Sequence, residues 1–306
     1  MDDLNPEGKT KVLILGAGEL GQAMAKVLSV KDDVSVEMWD KDRSRTPNRR
    51  ELNQAIPEAQ FVLLCLPSWG YREALKEIVE ADLKLETIVV SFAKGLEEKT
   101  HKTTNELLKE LLPKNQPYVL VSGPMLAEEI GIGMFGSGFA ASDRQDHAKA
   151  LISLFSETNL NLLYSSDVLG VAWVGVLKNI YSIGLGIAQA LNLGDNFRGW
   201  YAGQAISEMS EIVKILGGDS KTVLTPNGIG DLIATGFSQY SQNHELGKEI
   251  VKNGTKSIHS EGLSSLPALL YTLGDRVSKL TLLTALKNVI IENRNAKEIF
   301  RKVGYN

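Results

Sequence analysis

One stretch near the start constrains the fold more than any other: Val12-Leu13-Ile14-Leu15-Gly16-Ala17-Gly18-Glu19-Leu20-Gly21-Gln22-Ala23-Met24-Ala25. Four apolar residues predict a buried strand, and the glycines predict a tight turn into a helix. Gly16 permits the turn, Gly18 lets backbone approach a pyrophosphate, and Gly21 with Ala25 lets the helix pack closely on the sheet. The free N–H groups and positive dipole end of that helix suit an anion. Val34–Asp40 predicts a second strand ending in an acid, nineteen residues past Gly21. A carboxylate at that distance accepts the ribose hydroxyls of a dinucleotide. Asp40 therefore points to NAD, while Lys41, Arg43 and Arg45 follow at once and suit the extra phosphate of NADP.

The 306 residues suit two domains or one large one, and 43% apolar content supplies ample material for cores. A net charge of -4 without a basic stripe argues against a nucleic-acid surface. The single cysteine, Cys65, excludes an internal disulfide and fits a reducing, cytoplasmic setting. It sits in Phe61–Leu66, where it reads as packing. Met1–Lys11 contains no signal peptide. No uncharged apolar run reaches the length of a membrane span.

Strand and helix patterns alternate down to about Tyr164. Phe61–Leu66, Thr87–Ser91 and Tyr118–Ser122 end in polar, small or turn-forming residues, which a parallel sheet gathers on one edge beside the ligand crevice. A helix follows from Tyr71. Phe139–Ser142 and Leu160–Tyr164 supply the last strands. Between Asp40 and Phe61 the chain is short and carries Pro47 and Pro57, so the sheet is expected to be trimmed after its second strand. After Ser166 helical patterns dominate, with breaks at Pro226-Asn227-Gly228 and Asn253-Gly254 and a frayed end over 301–306. The expected architecture is a doubly wound, mostly parallel α/β Rossmann domain over 1–166, followed by an all-α domain over 167–306.

Lys178 and Asn179 are the only strongly polar side chains in the apolar run Val171–Gly184. Two readings follow. A buried ammonium is costly and has its pKa drawn toward the range useful for proton transfer. Alternatively, the side chain snorkels to solvent. Asn227–Thr235 reads as a glycine loop opening a helix, with Asp231 and Thr235 on one face, although Asp231 also suits a helix N-cap. Ser241-Gln242-Asn243-His244 adds polar groups in a loop. Together they outline a carbonyl-reducing site in which the lysine protonates the oxygen and the carboxylate holds the lysine. The four histidines show no metal-ligand spacing and read as surface residues, with His244 the exception because of its neighbours.

At these residues the chain resembles the NAD(P)-dependent glycerol-3-phosphate dehydrogenases. The shared signatures are the GAGELGQAMA turn, Leu66-Pro67-Ser68, Ser91–Glu97, Ser122-Gly123-Pro124 with Ala127 and Glu129, Leu177-Lys178-Asn179, Gly228–Thr235, Ser241 with Asn243, and Glu261-Gly262. The resemblance implies a Rossmann domain, a helical substrate domain and interconversion of dihydroxyacetone phosphate with sn-glycerol 3-phosphate. It also implies a homodimer. Lys178 would be the acid/base, Lys94 would assist at the substrate, and Asp231 would stand beside Lys178. Asn179, Thr235, Asn243 and position 242 would line the substrate pocket. Gly16, Gly18, Glu19, Leu20, Gly21, Asp40, Pro67, Lys94, Ala127 and Glu261 would serve the cofactor.

The chain departs from the family at three places. Gln242 stands where the family has an arginine for phosphate, and an uncharged amide cannot replace a guanidinium clamp. The segment after Asp40 is short. Met125 and Leu126 replace a more usual polar-aromatic pair. Two alternatives therefore accompany the first reading: a related reductase acting on a different small carbonyl compound, and a non-catalytic nucleotide-binding protein.

Overall fold

The computed structural model describes residues 8–254 and 256–304. By packing, the chain forms two units: residues up to Ala93 together with Thr104–Val168, and Lys94–Thr103 together with the chain from Leu169 onward. The ten residues 94–103 thus belong with the helices, although the sequence reading cut the chain once, at 166.

The first unit runs β1 (Thr10–Leu15), α1 (Glu19–Leu28), β2 (Val34–Trp39), α2 (Leu52–Ala55), β3 (Phe61–Leu64), α3 (Tyr71–Glu80), β4 (Ile88–Ser91), α4 (Thr104–Leu111), β5 (Tyr118–Ser122), α5 (Ala127–Ile130), β6 (Gly136–Ala141), α6 (Gln145–Leu154) and β7 (Leu160–Ser165). Its sheet has the order β2-β1-β3-β4-β5-β6-β7. Every pairing is parallel except β5 with β6. The fully buried runs of β3 and β4 are those of strands covered on both faces. The trimming after Asp40 is real: β2 is the sheet edge, and the segment that could have carried a further strand holds the four-residue α2 and a 3-10 turn over Ile56–Glu58. Arg50 lies along that edge, 2.6 Å from Glu37 and 3.1 Å from Glu58. Such charges blunt an edge against further pairing.

The second unit holds α7 (Val168–Ala190), α8 (Gly194–Ile215), α9 (Ser220–Val223), α10 (Pro226–Phe237), α11 (Gln242–Asn253), α12 (Glu261–Leu273), α13 (Thr281–Ile290) and α14 (Ala296–Val303). By length and hydropathy α7 could cross a membrane, but 94% of its apolar window is buried inside the protein. It is the core helix, and α8, α10, α11 and α12 lie against it. A Cβ on Gly247 of α11 would stand 2.0 Å from the Ile183 carbonyl oxygen of α7, so glycine permits a crossing closer than side chains allow. Two expectations are corrected here. Ser241–His244 is not a loop: Ser241 caps α11 by accepting the His244 N–H, and the following three residues form its first turn. The chain beyond 300 stays helical to Val303, and 305–306 lie outside the described residues.

Candidate functional site

In the first unit the glycine turn follows from steric demand. Gly16 has φ +99°, and a Cβ there would meet the Cys65 carbonyl at 2.5 Å. A Cβ on Gly21 would stand 1.8 Å from the Gly16 carbonyl oxygen, so α1 seats directly on the turn. Gly18 differs: a Cβ there would meet no protein atom, so packing gives no reason for glycine. An approaching ligand does, and a pyrophosphate at the start of α1 fits that open ground. Glu19 is exposed and Leu20 half-buried in the first turn of α1. Pro67 follows β3 and precedes a short 3-10 turn, and Ala127 opens α5. Asp40 sits where expected, past β2. Its carboxylate, however, already accepts the Ala17 N–H at 2.7 Å and the Asp42 N–H at 2.9 Å. It locks the turn to β2.

The second unit brings together the lysines and the acid. Lys178, midway along α7, is 6% exposed. Its Nζ donates to Thr235 Oγ1 at 2.8 Å and lies 3.1 Å from Asp231 Oδ1. Thr235 Oγ1 donates to Asp231 Oδ1 at 3.1 Å, using the one-turn spacing along α10. Lys94 donates to the other carboxylate oxygen, Oδ2, at 2.6 Å. Asp231 is therefore no N-cap: Thr225 caps α10, and Asp231 stands in its second turn between two ammonium groups. Nor does Lys178 snorkel.

Burial pushes the Lys178 ammonium down to about 8, against the pull of Asp231 and with the help of the Lys94 charge. Burial pushes the Asp231 carboxyl up, but the two lysines outweigh it and hold it below the ordinary range. A proton-bearing lysine near neutrality, fixed on a permanent carboxylate, is the setting of a general acid.

The amides around this cluster bond to one another and to backbone. Asn179 Nδ2 donates to the Lys94 carbonyl at 2.9 Å, and Asn243 Nδ2 donates to Asn179 Oδ1 at 3.0 Å. Asn243 Oδ1 accepts the Gly262 N–H at 2.9 Å. The two asparagines thus pin the 94 segment and the start of α12 to α7. Glu261 opens α12, and its charge raises the Lys178 pKa. Gln242 is exposed at the first position of α11. His244 is buried, which lowers its pKa.

Two residues of consequence escaped the sequence reading. Ser265 accepts the Leu96 N–H at 2.9 Å and anchors the 94 segment on α12. Glu208 is 2% exposed and accepts the N–H groups of Leu282 and Leu283 and the hydroxyl of Tyr181, which lies on α7 with Lys178. The one available signal for Glu208 is a carboxylate among apolar residues at helical spacing. Among the described residues no cluster of ligands suits a metal ion.

A doubly wound sheet with a pyrophosphate turn, in one chain with a buried lysine–carboxylate acid, defines an NAD(P)-dependent oxidoreductase acting on an alcohol or carbonyl. The family description "NAD-dependent glycerol-3-phosphate dehydrogenase N-terminus" matches residues 46–148, and its "C-terminus" counterpart matches 167–301. A glycerol-3-phosphate dehydrogenase [NAD(P)+] of Clostridium botulinum is 29% identical over 94% of this chain and 95% of its own length. One of Clostridium acetobutylicum is 31% identical over 77% of each. The crystal structure of the Coxiella burnetii glycerol-3-phosphate dehydrogenase has the same fold, with a TM-score of 0.88 at 23% identity over 97% of this chain and 99% of that one. The chain belongs to the NAD-dependent glycerol-3-phosphate dehydrogenase family.

Proposed function

We propose that the chain interconverts dihydroxyacetone phosphate and sn-glycerol 3-phosphate, with Lys178 as acid/base. The observation that carries this is the Lys178–Asp231–Lys94 cluster. Thr235 and Asp231 engage two of the three ammonium hydrogens of Lys178, which leaves one for a substrate oxygen. The dinucleotide, when bound, supplies or accepts the hydride. In reduction Lys178 gives its proton to the carbonyl oxygen, and in oxidation it takes the hydroxyl proton back. Asp231 orients the ammonium, and Lys94 stands by as a second cation for the substrate. Asn179 and Asn243 act by holding the Lys94 backbone rather than by meeting the substrate first. Gly16, Gly18 and Gly21 take the pyrophosphate. The single buried Cys65 supports a reducing, cytoplasmic setting, and the family resemblance supports a homodimer.

The test is NADH and NADPH oxidation with dihydroxyacetone phosphate, comparing wild type with Lys178→Ala. Removing a general acid costs typically about 10²–10⁴-fold in turnover, with cofactor affinity retained. Equal turnover in the variant would sink the role given to Lys178. The exposed, uncharged Gln242 keeps a second reading in view, a smaller or less charged carbonyl substrate. Gln242→Arg decides it: an improved KM for dihydroxyacetone phosphate shows that the missing guanidinium limits the phosphorylated substrate, and an unchanged KM shows that it does not.

A further inference from the structure

The sequence leaves the choice between NAD and NADP to a crowd of charges after β2, and the structure sorts that crowd. Lys41 is held by Glu73 and Glu77 at 2.7 and 3.3 Å. Arg43 pairs with Glu51. Arg45 faces Asp42 and Asp40 at 3.7 and 3.8 Å. Arg50 is taken by Glu37 and Glu58. Each of these cations already has its counter-charge.

Arg49 does not. Its guanidinium lies flat over the Trp39 ring, 4.0 Å from the centroid. Its Nε and Nη1 are enclosed and have no hydrogen-bond partner among the described residues, and neither has the Trp39 indole nitrogen. A cation–π contact offsets part of the cost of burying a charge but satisfies no N–H. Enclosed N–H groups of a guanidinium left without an acceptor are among the costliest features a protein carries. Among the described residues Arg49 is thus the cation after β2 whose counter-charge the chain does not supply, and an anion from outside can supply it.

Local geometry says where that partner sits. Asp40 N–H donates to Thr46 Oγ1 at 3.2 Å, and Arg49 N–H donates to the Thr46 carbonyl at 3.2 Å. The 46–49 turn therefore folds back onto the C-terminal end of β2. There the Gly16 N–H bonds to the Trp39 carbonyl at 2.8 Å, and Asp40 holds the Ala17 N–H. Arg49 stands at the ribose end of the glycine turn. Asp40, whose charge ordinarily excludes a 2′-phosphate, has both oxygens engaged by backbone N–H groups and Arg45 close by.

We propose that Arg49, stacked on Trp39, receives a phosphate on the adenosine ribose, so that this chain prefers NADP(H) to NAD(H). The inference rests on the proposed function only in placing a dinucleotide on the glycine turn.

Isothermal titration of the whole protein with 2′,5′-ADP and with 5′-AMP isolates the phosphate from any turnover. Charge-assisted hydrogen bonds to a phosphate predict a preference of roughly tenfold to a hundredfold for 2′,5′-ADP in the wild type. Arg49→Gln erases that margin while 5′-AMP binding stays within about twofold, as expected when only the phosphate contact is lost. Arg43→Gln keeps the margin. Arg49→Lys retains part of it, and serves in place of Arg49→Gln should the glutamine variant not fold. Equal binding of the two probes by the wild type overturns the proposal, as does an equal loss of both in Arg49→Gln. A protein that shows the margin yet leaves dihydroxyacetone phosphate unreduced tells against the proposed activity and upholds the assignment of Arg49.

Discussion

Asp231→Asn keeps the shape of the side chain and removes the charge between two ammonium groups. In the wild type burial draws Lys178 from 10.5 to about 8, and Asp231 limits the fall. At neutral pH a lysine so placed costs the fold about 3 kcal/mol, at roughly 1.4 kcal/mol for each pH unit between the unfolded and folded values. Without Asp231, burial and the Lys94 charge lower the Lys178 pKa against the weaker pull of Glu261 alone. The lysine then releases its proton at lower pH than in the wild type. Releasing it at pH 7 costs at most about 5 kcal/mol relative to the unfolded chain, so the lysine adds only about 1–2 kcal/mol to its wild-type cost.

The sign on stability follows. A folded lysine with a depressed pKa binds fewer protons than the unfolded one. Wild-type stability therefore rises with pH between about 8 and 10.5, and in the variant the rise starts at lower pH. Kinetics report the same group. Reduction needs the protonated lysine, so kcat/KM for dihydroxyacetone phosphate falls as pH rises through about 8 in the wild type and at lower pH in the variant. The assay is a pH series of kcat/KM beside urea unfolding. A variant that keeps its bend at pH 8 refutes the claim that Asp231 sets this lysine. A stability loss of roughly 3–5 kcal/mol, the cost of a broken buried pair, shows instead that Lys178 keeps its charge without a partner.

Two further substitutions test the scaffold. Gly21→Ala places a Cβ 1.8 Å from the Gly16 carbonyl. Lifting α1 off the turn is expected to cost about 1–3 kcal/mol of stability by overpacking, and titration with NADH is expected to show dinucleotide affinity falling with it. Glu208→Gln puts an amide donor where Leu282 and Leu283 direct their N–H groups at 2.7 and 3.0 Å. It is expected to lower the urea midpoint by a loss of about 1–3 kcal/mol and to leave the bend near pH 8 in place. A shifted bend would tie Glu208 to the chemistry through Tyr181.

What the sequence made legible was short-range. The glycine turn, the strand before it and the helix after it are legible within fourteen residues, because Gly21 packs on Gly16 itself and the positive φ of Gly16 is local, although the Cys65 carbonyl that also crowds Gly16 comes from just past β3. Lys178 was legible for a related reason: a charge inside an apolar helix is conspicuous wherever the helix packs. Ser241–His244 was not. Polar residues at the start of a helix look the same as polar residues in a loop, and only the Ser241 cap on the His244 N–H distinguishes them.

The least legible features were those decided by pairing across distance. Lys41, Arg43, Arg45, Arg49 and Arg50 look interchangeable along the chain. What separates them is which carboxylate the fold brings opposite each: Glu73 and Glu77 from α3, Glu51 from before α2, Glu37 from β2 and Glu58 from just before β3. Missing the strand beyond β2, the chain has to close its own sheet edge, and Arg50 and the 46–49 turn do so. The same shortening lays Arg49 on Trp39 with its N–H groups unmet. The short segment after Asp40 is one of the chain's departures from the family. On the proposal made for Arg49, the departure moves the recognition of the ribose from a carboxylate to a guanidinium.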